Sequence, residues 1–163
     1  MNKYLIPDEI LSSIDDLSGE FFKSKGIKAV FLDIDNTLVT PHTPLPDERA
    51  KRFFNSLKES GIIICLISNN NKERVARFNE DGFLSSHRSA KPLTFAYRKM
   101  LKKIGLKKEE VAAVGDQFYS DILGANLLGL YTVYVSPIKI GGEGAFVHFK
   151  RKLEKNVIKK LGI

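Results

Sequence analysis

KAVFLDIDNTL, Lys28 to Leu38, runs from an apolar segment into two aspartates separated by one isoleucine. Residues two apart on a strand point the same way. A strand over Lys28 to Asp33 therefore holds Asp33 and Asp35 side by side at its tip. Like charges held close disfavour each other's ionisation. A fold tolerates that cost when a cation sits between the carboxylates, or when one of them must carry a proton. Taken alone, the segment also reads as a surface turn, because Asp, Asn and Thr suit turns and helix caps.

The rest of the chain gives that strand its setting. Further strand candidates lie at Ile62 to Ser68, Val111 to Gly115 and Tyr131 to Ser136, with a short piece near Leu84 to His87. Helical periods separate them. Ala50, Phe53, Phe54 and Leu57 follow Pro46 and the cap candidate Asp47. Leu93, Ala96, Tyr97, Met100, Leu101 and Ile104 form a longer stripe between Pro92 and Gly105. Shorter helices are expected over Asn71 to Glu80 and Asp121 to Leu128. Alternating strands and helices predict a three-layer α/β/α, Rossmann-like fold with a mainly parallel sheet of about five strands. Ligands of such sheets bind beyond the carboxyl ends of the strands. Asp33 and Asp35, then Ser68 to Asn71, then Gly115 and Asp116 all fall at that edge. A loop cap explains each alone, but not their collection at one edge.

Four ordered motifs carry a resemblance. They are Asp33-Ile34-Asp35-Asn36-Thr37-Leu38, Ile67-Ser68-Asn69-Asn70, Ala90-Lys91-Pro92, and Val114-Gly115-Asp116-Gln117 followed by Ser120-Asp121. From about Lys28 to Pro137 the chain resembles the haloacid dehalogenase superfamily. It looks like the small YqeG-type phosphatases of subfamily IIIA, which are related to phosphatidylglycerophosphate phosphatases. The resemblance implies an Mg²⁺-dependent phosphatase working through an aspartyl-phosphate. Asp33 would be the nucleophile and Asp35 the general acid and base. The Asp33 and Asp116 carboxylates and the Asp35 backbone carbonyl would hold the metal. Ser68, Asn69 and Lys91 would bind the phosphoryl group, and Asp121 would orient Lys91 or the metal's water shell. The chemistry is coherent, because a phosphate dianion repels a carboxylate nucleophile until positive charge screens it, and Mg²⁺ favours oxygen ligands.

Length and composition fit this reading. The 163 residues, 43% of them hydrophobic, suit one domain over 1–163, with its core at about 26–140. No apolar run approaches the ~20 residues needed to span a bilayer, and the N-terminus lacks a secretory signal. Cys65 is the single cysteine and lies within an apolar run, as a small buried hydrophobe. A cytoplasmic location fits, with peripheral contact at the inner face of the membrane as an extension. His42, His87 and His148 lack metal-ligand spacing, and Gly141-Gly142-Glu143-Gly144 reads as a flexible link.

The formal net charge of +7 favours anionic partners, and nucleic acid remains among them. The intervals Asp35 to Ser68 and Ser68 to Lys91 are too short for a cap domain, so an open site is expected. Openness suits a large substrate, and the resemblance points to phosphatidylglycerophosphate or a similar phospholipid. A phosphatase of protein or nucleic-acid phosphates, or a weakly catalytic RNA- or ribosome-associated module, stay open as alternatives. A basic amphipathic helix is expected over about 145–161, with Phe146, Phe149, Leu153, Val157 and Leu161 as its stripe. It can pack on the core or lie on an anionic membrane. Leu5, Ile6, Ile10, Leu11 and Ile14 admit the same two readings.

Overall fold

The computed structural model describes residues 2–79, 81–138 and 154–162. Six strands form one sheet, β1 (Glu9–Leu11), β2 (Ala29–Leu32), β3 (Ile63–Ile67), β4 (Leu84–Ser86), β5 (Val111–Gly115) and β6 (Tyr131–Val135). Their order is β1-β6-β5-β2-β3-β4, and every pairing is parallel. The helices are α1 (Gly19–Ser24), α2 (Glu48–Glu59), α3 (Lys72–Arg77), α4 (Phe95–Ile104) and α5 (Leu123–Leu128). The chain builds outward from β2 through β3 to β4, then returns to the other side of β2 with β5. The strand order thus reverses at β2, which places a crevice at its carboxyl end.

Strand alternation creates the two core layers. Val30, Leu32, Ile64, Leu66, Ala112 and Val114 pack with Phe53, Phe54 and Leu57 of α2 on one face. Ala29, Phe31, Cys65, Ile67, Val111 and Ala113 pack with Ala96, Tyr97 and Met100 of α4 on the other. Helices α1, α2 and α3 start where a side chain can replace the missing backbone partners of the first turn. Asp47 caps α2 by accepting from the Ala50 N–H at 2.8 Å, and Asn71 caps α3 by accepting from the Arg74 N–H at 2.8 Å. Gly105 ends α4 at φ 68°, a left-handed conformation that favours glycine.

Several expectations change. A sixth strand, β1, occupies the sheet edge beside β6, where a three-residue segment is too short to show an alternating pattern. The N-terminal apolar residues therefore form no amphipathic helix. Leu5 and Ile14 are buried, while Ile6 is exposed. Helix α1 also went unread. It lies so close to α2 that a Cβ on Gly19 would meet the Ser56 carbonyl oxygen at 2.2 Å. The α4 helix begins at Phe95, after a turn that follows a cis Lys91–Pro92 bond, so Leu93 leaves the stripe and is exposed. The helix expected over Asp121 to Leu128 begins earlier, with a π-helical turn over Phe118–Ile122 that runs into α5. At the C-terminus a helix covers 154–161. Val157 is buried and Lys155, Lys159 and Lys160 are exposed, which is the packed arrangement for this part. Phe146, Phe149, Leu153 and the glycine link lie outside the described residues.

Leu57 is fully buried between α2 and the sheet. Leu57→Ala should cost about 2–5 kcal/mol, read as a lower urea midpoint at unchanged m-value.

Candidate active site

Four segments meet beyond the carboxyl ends of β2, β3, β4 and β5. Asp33 follows β2 directly, and its N–H donates to the Val114 carbonyl of β5 at 3.1 Å. The chain then turns sharply through Asn36 at φ 65°. Asparagine tolerates that region better than most residues. The turn brings Thr37 back over the site. Its hydroxyl lies 3.3 Å from Asp33 Oδ2 and 3.0 Å from Asp116 Oδ1.

Lys91 comes from the loop after β4. Its Nζ donates to Asp33 Oδ1 and to Asp121 Oδ1, each at 2.6 Å. Asn69 fixes the backbone of this lysine from both sides. Its Oδ1 accepts from the Lys91 N–H at 2.7 Å, and its Nδ2 donates to the Lys91 carbonyl at 3.2 Å. The side chain of Asn69 is therefore engaged in holding Lys91. Ser68 is buried, and its hydroxyl accepts from the Asn70 N–H at 3.1 Å.

Asp121 combines two roles, an acid in the first turn of a helix and a partner of Lys91. It sits inside the π-helical turn and is 3% exposed. Its Oδ2 accepts from the Gln117 N–H at 3.1 Å. Gly115 makes this possible, because a Cβ there would meet the Asp121 Cβ and Cγ at 2.4 Å.

Asp33, Asp116 and Asp121 each offer an oxygen within 4.8 Å of the others, and all three are buried. Burial pushes the Asp33 carboxyl up to about 8, Asp121 and Asp116 push the same way, and Lys91 pulls against them. Burial alone would lower the Lys91 ammonium, but Asp121 and Asp33 reverse that and hold it well above its ordinary range. The lysine is thus charged, and the carboxylates outnumber it. Hard oxygen donors with a surplus of negative charge suit a divalent cation such as Mg²⁺ or Ca²⁺. Burial likewise pushes the Cys65 thiol up to about 12, as expected for an inert core residue.

Asp33, Asp35, Ser68, Asn69, Lys91 and Asp121 line one cavity of about 400 Å³. Among the described residues no cap domain covers it. The sequence reading gave no role in the site to Thr37, Asn70 or Arg74. Asn70 Nδ2 donates to Asp35 Oδ2 at 3.0 Å, and Arg74 Nη2 donates to Asp35 Oδ1 at 2.8 Å. Thr37 and Asn70 stood within the quoted motifs, but nothing local marked Arg74.

A family model for haloacid dehalogenase-like hydrolases matches residues 40–129. The chain is 33% identical over 162 residues to the "Probable phosphatase YqeG" of Bacillus subtilis, across 99% of this chain and 94% of that protein. It is 27% identical over 169 residues to the chloroplastic/mitochondrial phosphatidylglycerophosphate phosphatase 1 of Arabidopsis thaliana, across 97% of this chain and 48% of that protein. The chain thus spans about half of the plant relative. A crystal structure of 3-deoxy-D-manno-octulosonate 8-phosphate phosphatase from Moraxella catarrhalis, with magnesium, phosphate and sugar, matches at TM-score 0.52 and 19% identity, over 84% of this chain and 91% of that one. At that identity the likeness is one of fold.

The raised Asp33 carboxyl sets a direction for pH. The folded, metal-free chain keeps this proton up to about pH 8, whereas the unfolded chain releases it near 3.8. The folded state binds the extra proton inside that window, so this contribution to stability falls as pH rises through it. Metal-stripped protein should melt at a lower temperature at pH 8 than at pH 6, and Asp33→Asn should shrink the difference.

Proposed function

The chain belongs to the haloacid dehalogenase-like hydrolase family, and we propose that it is an Mg²⁺-dependent phosphatase with Asp33 as its nucleophile. The observation that carries this reading is the buried group of Asp33, Asp116 and Asp121, with the Lys91 ammonium paired to Asp33 and Asp121 where these line an open cavity. Asp33, Asp116 and the Asp35 carbonyl would hold Mg²⁺, which supplies positive charge that screens the phosphate from the carboxylate.

The chain's own groups account for the remaining work. A carboxylate oxygen of Asp33 attacks phosphorus as the ester P–O bond breaks, leaving an aspartyl-phosphate. Asp35 gives a proton to the departing oxygen, then takes one from the water that hydrolyses the intermediate. An ammonium has three N–H donors. Asp33 and Asp121 engage two of those of Lys91, and the third serves a phosphoryl oxygen. The Ser68 hydroxyl and the Asn69 backbone N–H hold the others, while the Asn69 side chain keeps Lys91 in place. Asp121 positions Lys91 from the opposite side.

For the substrate, we infer phosphatidylglycerophosphate or a similar anionic phospholipid, met at the inner face of a membrane. Similarity to the plant phosphatase supports this, as does the uncapped cavity. The rim supports it too. Leu93 and Phe95, next to Lys91 in the chain, are 65% and 74% exposed, and the cationic Arg88 and Lys99 line the same neighbouring hollow. Apolar side chains with flanking cations fit an anionic lipid surface. Among the described residues no helix is long and apolar enough to cross a membrane, so contact would be peripheral.

Phosphate release from phospholipids, phosphosugars, nucleotides and phosphopeptides with Mg²⁺ tests the class and the substrate together. Asp33→Asn should abolish turnover of a generic aryl phosphate while leaving the melting transition in place; substantial residual Mg²⁺-dependent turnover removes the nucleophile assignment. Turnover of a soluble phosphosugar well above that of any phospholipid removes the lipid reading alone. The double variant Leu93→Ser with Phe95→Ser should bind less to vesicles containing anionic lipid, measured by co-sedimentation, at unchanged turnover of the aryl phosphate.

A further inference from the structure

Arg74 belongs to α3 and is buried, at 8% exposure. It reaches back to Asp35 across 39 positions of sequence. Its Nε and Nη2 both donate to Asp35 Oδ1, at 3.1 and 2.8 Å. Nη2 also donates to the Thr40 carbonyl at 3.2 Å, and Nη1 to the Thr43 carbonyl. The Phe78 ring stacks beneath, with its centroid 4.7 Å from the guanidinium carbon. The other carboxylate oxygen, Oδ2, accepts from Asn70 Nδ2 at 3.0 Å. Asp35 and Asn70 line the cavity, and Arg74 stands behind them.

We propose that Arg74 is a positioning residue that fixes Asp35 by its Oδ1, so that Oδ2 faces the cavity and carries the proton to and from the substrate. The inference rests on the reading of Asp35 as general acid and base. A carboxylate on a freely turning side chain would present either oxygen in many orientations. A planar guanidinium fork anchored to two loop carbonyls and an aromatic ring removes that freedom, and a lysine cannot reproduce the fork. In the first step the Asp33 oxygen bonds to phosphorus, the ester P–O bond breaks, and the proton leaves Asp35 Oδ2 for the ester oxygen. Its correct placement matters when the leaving group is a poor one. A 2,4-dinitrophenolate departs without that proton.

The test compares kcat/KM of Arg74→Lys and wild type, with Mg²⁺, on phenyl phosphate and on 2,4-dinitrophenyl phosphate. General acids contribute ~10²–10⁴-fold, so misplacing one should cost about 10-fold or more on the phenyl ester and under about 3-fold on the dinitrophenyl ester. In an Asp35→Asn background the same Arg74→Lys change should add almost nothing on either ester. Near-wild-type turnover of the dinitrophenyl ester also reports an intact fold. Should Arg74→Lys lack a cooperative melting transition, Phe78→Leu, which exchanges the buried ring under the guanidinium for another core side chain, decides by the same selectivity in weaker form. Equal losses on the two esters, or a loss that persists undiminished in the Asp35→Asn background, overturn the inference. If Asp35→Asn itself slows both esters equally, the acid–base reading of Asp35 fails instead, a separately visible result.

Discussion

The ammonium of Lys91, closed between Asp33 and Asp121 at 2.6 Å on each side, is the contact on which the site depends. Removing one partner of a buried ion pair typically costs about 3–5 kcal/mol, because the survivor is left charged and dry. Here the lysine does not balance the acids around it, since Asp116 is also buried in the group. Thr37, lying between Asp33 and Asp116, and the Gln117 N–H on Asp121 offset part of the imbalance. A cluster of this kind suits the divalent cation proposed for it.

This contact also explains why peripheral details are so exacting. Lys91 must arrive from the loop after β4, so the Asn69 side chain grips its backbone from the loop after β3. Asp121 must point inward, so the chain opens into a wider helical turn before α5 and leaves no room for a side chain at Gly115. The three-layer fold supplies rigid strand ends, and the short loops convert that rigidity into a fixed geometry of charges.

Much of this was legible in the chain. The acids Asp33 and Asp116 stand directly after long apolar runs, where strand-end residues of a parallel sheet must lie. Lys91 and Asp121 were legible only through the order of the motifs, because a lysine before a proline or an acid near a helix start has ordinary explanations. Arg74 could not be read. In KERVAR it looks like one more basic residue on a short helix, and its partner lies 39 residues earlier. Asn69 lines the cavity, but its side chain turns to Lys91, a choice made by loop geometry. The edge strand Glu9–Leu11 is too short to carry a period, and Leu93 shares the spacing of α4 without sharing its helix.

The register of β2 has a further consequence. Ala29 pairs with both Ile63 and Val111, and the same alignment continues to Leu32 on both sides. Val30 and Leu32 fill one layer while Ala29 and Phe31 fill the other. A slip by one residue would exchange the two layers, and in the same movement would carry Asp33 away from Lys91. Hydrophobic sorting and charge placement are thus enforced by one alignment. An arrangement that misassembles this strand is penalised twice, and a correctly layered sheet brings its nucleophilic candidate into position with no separate ordering event.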